Sequence, residues 1–140
     1  MSVTAAVAYV LANASPSFGT LMDTIWVNGL VENGKDAQLS VAMYDGAAIE
    51  TYAAAEAQHS IQVMVRGNKE KYLAAEQRAM AVWRYLCNQV RNVTVSGIVI
   101  DGVTLDPVPI QVIRPRGTIN PLPEDELGRP LFSINLEVTQ

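Results

Sequence analysis

Apolar positions near the start of the chain fall on a helical stripe. Val3, Ala6, Val7, Val10 and Leu11 recur at spacings of three and four, which predicts an amphipathic helix over about residues 2–14. The helix should stop before Ser15-Pro16, because proline disfavours helical geometry at the residue ahead of it. TIWVNGL then reads as a strand ending on Asn28-Gly29. The turn-forming loop VENGKDAQ leads to a second strand, LSVAMYD, closed by Asp45-Gly46. Residues 47–58, AAIETYAAAEAQ, are rich in alanine but show no wide apolar stripe. Both an extended loop and one or two helical turns fit them.

IQVMVRG, residues 61–67, alternates: Ile61, Val63 and Val65 share one face, Gln62, Met64 and Arg66 the other. Asn68 is placed to cap a following helix over about 69–89, with Glu70 in its first turn. Tyr72, Ala75, Ala79, Val82 and Leu86 form the apolar stripe of that helix, flanked by Leu73, Met80, Trp83 and Cys87. VTVSGIVI and VTLDPVPIQVIR are joined at Asp101-Gly102, a strong hairpin signal. Pro107 and Pro109 remove N–H groups from one edge of the second run, so its early part should border the sheet or be bulged. Residues 115–130, PRGTINPLPEDELGRP, hold four of the seven prolines and predict a long extended loop. LFSINLEV then alternates with Phe132, Ile134, Leu136 and Val138 inward. The order α-β-β-β-α-β-β-β predicts a single α+β domain over residues 1–140. Its mixed or antiparallel sheet should carry two main helices on one face, with the Pro-rich loop before the last strand.

Composition narrows the function. A net charge of −4 with ten scattered basic residues argues against sequence-independent nucleic-acid binding, which needs clustered Lys and Arg on phosphates. A lone cysteine, Cys87, at core spacing in a helix fits a reducing compartment and a small buried hydrophobe better than a nucleophile. The Ala-Asn-Ala near the start imitates a signal-peptidase site, but no Lys or Arg precedes it, so the amphipathic helix is the better reading. No run spans a membrane.

Neither catalytic nor metal chemistry is singled out. His59 is the only histidine and lies on a polar lead-in to a strand, where an ordinary solvated role is expected. Zinc ligands are too few, and Glu124, Asp125 and Glu126 are consecutive, without the spacing of a calcium loop. No phosphate-binding glycine motif is present, and no cofactor is expected. Trp83 is at core spacing, whereas Trp26 alternates against Ile25 and Val27, and an exposed face there would mark an interface. The Pro-rich loop suits docking to another protein, since prolines cut the entropy lost on ordering. A partnerless mobile loop is the alternative.

Taken in order, TIWVNGLVENGKDAQLSVAMYDGA, SIQVMVRG, the alanine-bearing helix AAEQRAMAVWRYL and the late strand RPLFSINLEV resemble the tail terminator and minor capsid (tail completion) proteins of long-tailed bacteriophages. The resemblance implies a non-enzymatic virion protein, assembled in the host cytoplasm. It would form a ring, commonly a hexamer, that caps the tail tube, ends its polymerisation and meets the head connector. A neighbouring neck or head-completion protein is the close alternative. An acidic subunit would also suit a lumen through which DNA passes without sticking. Partner contacts are expected at Arg114, Arg116, Glu124, Asp125, Glu126 and Arg129. Glu32, Lys35 and Asp36 of the first strand–strand loop come second, and Arg66 would support the strand–helix joint or pair with a neighbouring subunit's acid. A reading of another class makes Arg66-Gly67 an anion site in a small binding domain or enzyme. That reading needs convergent polar groups, and the sequence offers only Arg66 and Asn68 nearby.

Overall fold

A computed structural model describes residues 2–44 and 58–140. The expected Asp45-Gly46 turn and the ambiguous segment up to residue 57 lie outside them. The described elements, in chain order, are α1 (Val3–Ala12), β1 (Ile25–Val27), β2 (Gln38–Met43), β3 (Gln58–Arg66), α2 (Tyr72–Gln89), β4 (Arg91–Val95), β5 (Val99–Ile100), β6 (Val103–Thr104), β7 (Val108–Pro115), β8 (Asn120–Leu122) and β9 (Leu131–Thr139). The main sheet runs β1-β2-β3-β9-β7-β4, and β8 adds to β9. All its pairs are antiparallel except β1 with β2, which makes the sheet mixed.

Alternation puts Leu39, Val41, Ile61, Val63, Val65, Phe132, Ile134, Leu136 and Val138 on one face. Val3, Val7 and Leu11 of α1 and Ala75, Ala79, Val82 and Leu86 of α2 close one continuous core over them. The two helices therefore share a face, as the periodicities predict. The other face is mixed: Trp26, Ser40, Met64 and Ser133 form one cross-strand row. In the next row the Gln62 side-chain amide donates to Asn135 Oδ1 at 3.1 Å.

Five expectations are corrected. The second helix starts at Tyr72, not near 69: Glu70 is left-handed (φ 61°) and the Lys71 N–H closes a turn on the Asn68 carbonyl. Lys71 is the N-cap, and no side chain caps the helix, so Asn68 does not. Tyr72, expected on the buried stripe, is exposed at the helix start, its ring 5.2 Å from that of Phe132. VTVSGIVI is not one strand, because Gly97 at φ 75° breaks it into β4 and β5. The Pro-rich stretch is not structureless: Asn120–Leu122 pairs with Ser133, Phe132 and Leu131 of the last strand.

Other signals hold. Asp101 and Gly102, at φ 53° and 75°, make the two-residue turn between β5 and β6. Residues 108–111 have β4 on one side only, since the ladder with β9 begins at Val112, and the prolines fall where no second ladder is needed. Within β7 the buried positions change parity, from Val108 and Ile110 to Ile113, so the strand turns a corner and the sheet curls. Among the described residues, no helix is long and apolar enough to cross a membrane.

Gly67 joins β3 to the turn ahead of α2. A Cβ there would lie 2.5 Å from Ala75 Cβ and 3.1 Å from Pro130 Cγ, so only glycine lets the backbones come this close. Gly67→Ala should destabilise the fold by about 1–3 kcal/mol. Pairing it with Ala75→Gly should recover part of that loss in urea unfolding. An unchanged midpoint for Gly67→Ala would contradict the close approach.

Candidate functional site

Two arginines, each only 2% exposed, organise one end of the molecule: Arg66 at the end of β3 and Arg129 just before β9. Arg66 Nε donates to the Asp36 carbonyl at 2.8 Å. Its Nη2 donates to the carbonyls of Val31 (2.9 Å) and Lys35 (2.8 Å). One guanidinium thus holds three main-chain oxygens of the β1–β2 loop, residues 28–37. Arg129 Nε pairs with Asp125 Oδ2 at 2.6 Å, and its Nη1 reaches Asp36 Oδ1 at 3.3 Å and the Glu32 carbonyl at 3.2 Å. The same loop is therefore tied to the end of β3 and the start of β9, which lie side by side in the sheet. Gln38, fully buried at the start of β2, adds a bond from the Val31 N–H to its Oε1 at 2.9 Å.

Burial lowers the Arg66 pKa, and the nearby Arg129 guanidinium lowers it further, while Asp125, Asp36 and Glu32 act against both. Partial desolvation pushes Asp125 up. The N–H and guanidinium of Arg129 and the N–H of Leu127 outweigh it together and hold the carboxyl below its ordinary 3.8. Asp125 Oδ1 accepts those two N–H groups at 2.9 and 3.0 Å, and the Gly128 N–H closes on the Asp125 carbonyl at 3.0 Å. The acidic stretch is thus a folded turn rather than a solvated run. Leu30, Glu32, Arg66, Arg129, Glu126 and Leu127 are among the residues lining a cavity of about 200 Å³ beside it.

This geometry redraws the expected contact residues. Arg66 and Arg129 are buried and spend their donors inside the chain, while Asp125 and Asp36 pair with Arg129 and stay partly exposed. Arg66 is buried against the carbonyls of Val31, Lys35 and Asp36 of its own chain. The anion reading of Arg66-Gly67 also loses its donors: the Gly67 N–H goes to the Pro130 carbonyl at 2.9 Å. Arg116 lies just past β7 and donates to Ser60 Oγ at 2.7 Å. Lys35 pairs with Asp23 at 2.7 Å on the surface. Glu32, Glu124, Glu126 and Arg114 have exposed side chains, and among the described residues none of the four is in an ion pair. Glu124 and Glu126 flank the Asp125 turn, whereas Arg114 belongs to β7, far from it.

His59 is inside β3 rather than ahead of it, with Nε2 2.9 Å from Gln140 Oε1. Cys87 is half-buried against the core, and desolvation raises its thiol pKa despite Arg91. Trp26 and Trp83 are half-buried, each with a buried indole N–H that has no acceptor among the described residues. Sequence reasoning missed a second charged locus. Arg84, Arg91 and Arg114 line a cavity of about 410 Å³ with Trp83, Cys87, Asn88 and the β7 residues 112–115. Arg84 and Arg91 lie only seven residues apart in the chain, but nothing in the sequence signals the approach of β7. The sequence matches no protein-family model and no curated protein.

Arg66→Met should cost at least about 2 kcal/mol, because three loop carbonyls lose their donor together. Hydrogen exchange should locate the lost protection in residues 28–37. A global loss without that local signature would count against the clamp. For Asp125, whose folded pKa lies below 3.8, the stabilisation is full above that value and vanishes as pH falls through the folded pKa. Asp125→Asn should therefore be less stable at neutral pH and fall less steeply on acidification, as read from urea midpoints down to about pH 3. Parallel acid limbs for the two proteins would show that Asp125 carries no linkage.

Proposed function

We propose that this chain is a structural subunit of the tail or neck of a long-tailed bacteriophage. In this reading, copies close into a ring that caps the tail tube, ends its polymerisation and offers a surface to the head connector. The role is assembly rather than catalysis. The observation that carries it is a main sheet with helices on one face and, among the described residues, two different edge strands, β1 and β4, at opposite ends of the strand order. A ring is built from heterologous contacts, in which one surface of a subunit meets a different surface of the next. Unlike edges on a single rigid domain supply such a pair. The order of elements behind the resemblance also matches: helix, strand–loop–strand, the VRG strand, long helix, and a final strand inside the sheet.

The anion-binding alternative has less support, since Arg66 Nε and Nη2 and the Gly67 N–H donate to main-chain carbonyls. Between tail terminator and neck protein the expected phenotype decides. Tails assembled without the chain should have uncontrolled tube lengths by negative-stain microscopy. The purified chain should form rings of one stoichiometry, alone at high concentration or on contact with tail tubes, by sedimentation and microscopy. Normal tail length in its absence would exclude a terminator. A chain that remains monomeric both alone and with tubes would overturn the ring altogether.

A further inference from the structure

Three arginines of an acidic chain line one cleft. Arg84 and Arg91 come from the end of α2 and the start of β4, and Arg114 from β7. Among the described residues no Asp or Glu lines the cavity, and none of the three arginines is in an ion pair. Arg91 makes only a long 3.5 Å bond to the Cys87 carbonyl. Glu137, the cross-strand neighbour of Arg114, does not pair with it. Trp83, Ile113 and Pro115 give the cleft an apolar floor, and among the described residues the buried Trp83 N–H has no acceptor. Beyond Val112 the outer edge of β7 has no strand partner, because β4 ends its ladder there.

The same chain carries the complement. Glu124, Glu126 and Leu127 are exposed around the Asp125 turn, two acids and an apolar side chain on a loop fixed by Arg129. They cannot reach the cleft of their own chain. The turn adjoins Pro130 and Gly67, ahead of the first residues of α2. The cleft is at the far end of that helix, 18 residues and so about 27 Å long. We infer that the 124–127 tip of one copy docks in the Arg84–Arg91–Arg114 cleft of the next. Acids meet the arginines and Leu127 meets the apolar floor. This rests on the ring reading above and names the contact that would build the ring. A tip already ordered by Asp125 loses little entropy on docking, and charge-assisted arginine–carboxylate bonds fix its register.

Charge exchange tests it. Arg91→Glu with Arg114→Glu makes a reversed cleft, and Glu124→Arg with Glu126→Arg a reversed tip. All four positions are exposed, and far-UV circular dichroism checks that each protein folds. Should the reversed cleft fail to fold, Arg91→Gln with Arg114→Gln replaces it as a loss-of-charge variant. Under the conditions where wild-type rings form, each reversed protein alone should associate at least about tenfold more weakly. An equimolar mixture should regain assembly, because every tip then meets a cleft of opposite sign. Wild-type association should also weaken as salt rises.

Rings from either reversed variant alone, or no recovery on mixing, would overturn the contact while leaving the ring reading intact. A wild-type chain that never associates, with or without tubes, would overturn both. A single-stranded oligonucleotide or inorganic phosphate that binds the wild type but not the reversed cleft, with ring formation unchanged, would give the cleft to a phosphate ligand instead.

Discussion

The fold depends on how the β1–β2 loop is held. Parallel neighbours are usually joined by a crossover of about a dozen residues or more, commonly through a helix that covers the sheet. Here residues 28–37 make the connection without a helix, so their carbonyls need donors from elsewhere. Arg66 supplies three bonds from one side chain. It can do so because alternation along β3 turns it away from the apolar face, and the register sets it beside Gln38. A lysine would offer a single point of charge where the planar fork spans several acceptors.

From this clamp a chain of contacts leads outward. Asp36 passes it to Arg129, Arg129 to Asp125, and Asp125 to the N–H groups that fold the acidic turn. Buried charges of this kind are weak evidence for net stability, because desolvation offsets much of their attraction. Their effect here is geometric. Two loops distant in sequence are held in one arrangement, and the exposed acids at 124 and 126 keep a fixed place relative to the sheet.

Much of the architecture was legible in the sequence because it rests on period and local chemistry. The alternation in IQVMVRG and LFSINLEV, the stripe through Ala75, Ala79, Val82 and Leu86, and Asp101-Gly102 each specify their element without distant help. What failed was tertiary. Asn68 reads as a helix cap, yet the left-handed Glu70 delays the helix to Tyr72. Proline in 115–130 hides β8, because pairing with the last strand is decided by proximity rather than propensity. The acids of 124–126 look equivalent in sequence, but only Asp125 has an arginine four residues on that folds back to it. Arg66 reads as an interface charge because sequence marks its face and not its depth. The arginine cleft was invisible because its third member arrives on β7, more than twenty residues after Arg91.

The division of charge gives these observations a common physical sense. A chain with net charge −4 should repel its own copies over distances shorter than the screening length, so association needs local reversal of sign. The cleft at the end of α2 is such a reversal, and the acidic tip at the other end is its counterpart. Because the two surfaces differ, each contact leaves another tip and another cleft open. Growth stops only where the rotation between copies closes. That rotation is set by the angle between the tip and α2, hence by the clamp that holds the tip. On the proposed reading, loosening Arg66 or Arg129 would therefore act first on closure, turning defined rings into mixed or open chains before it weakened any single contact.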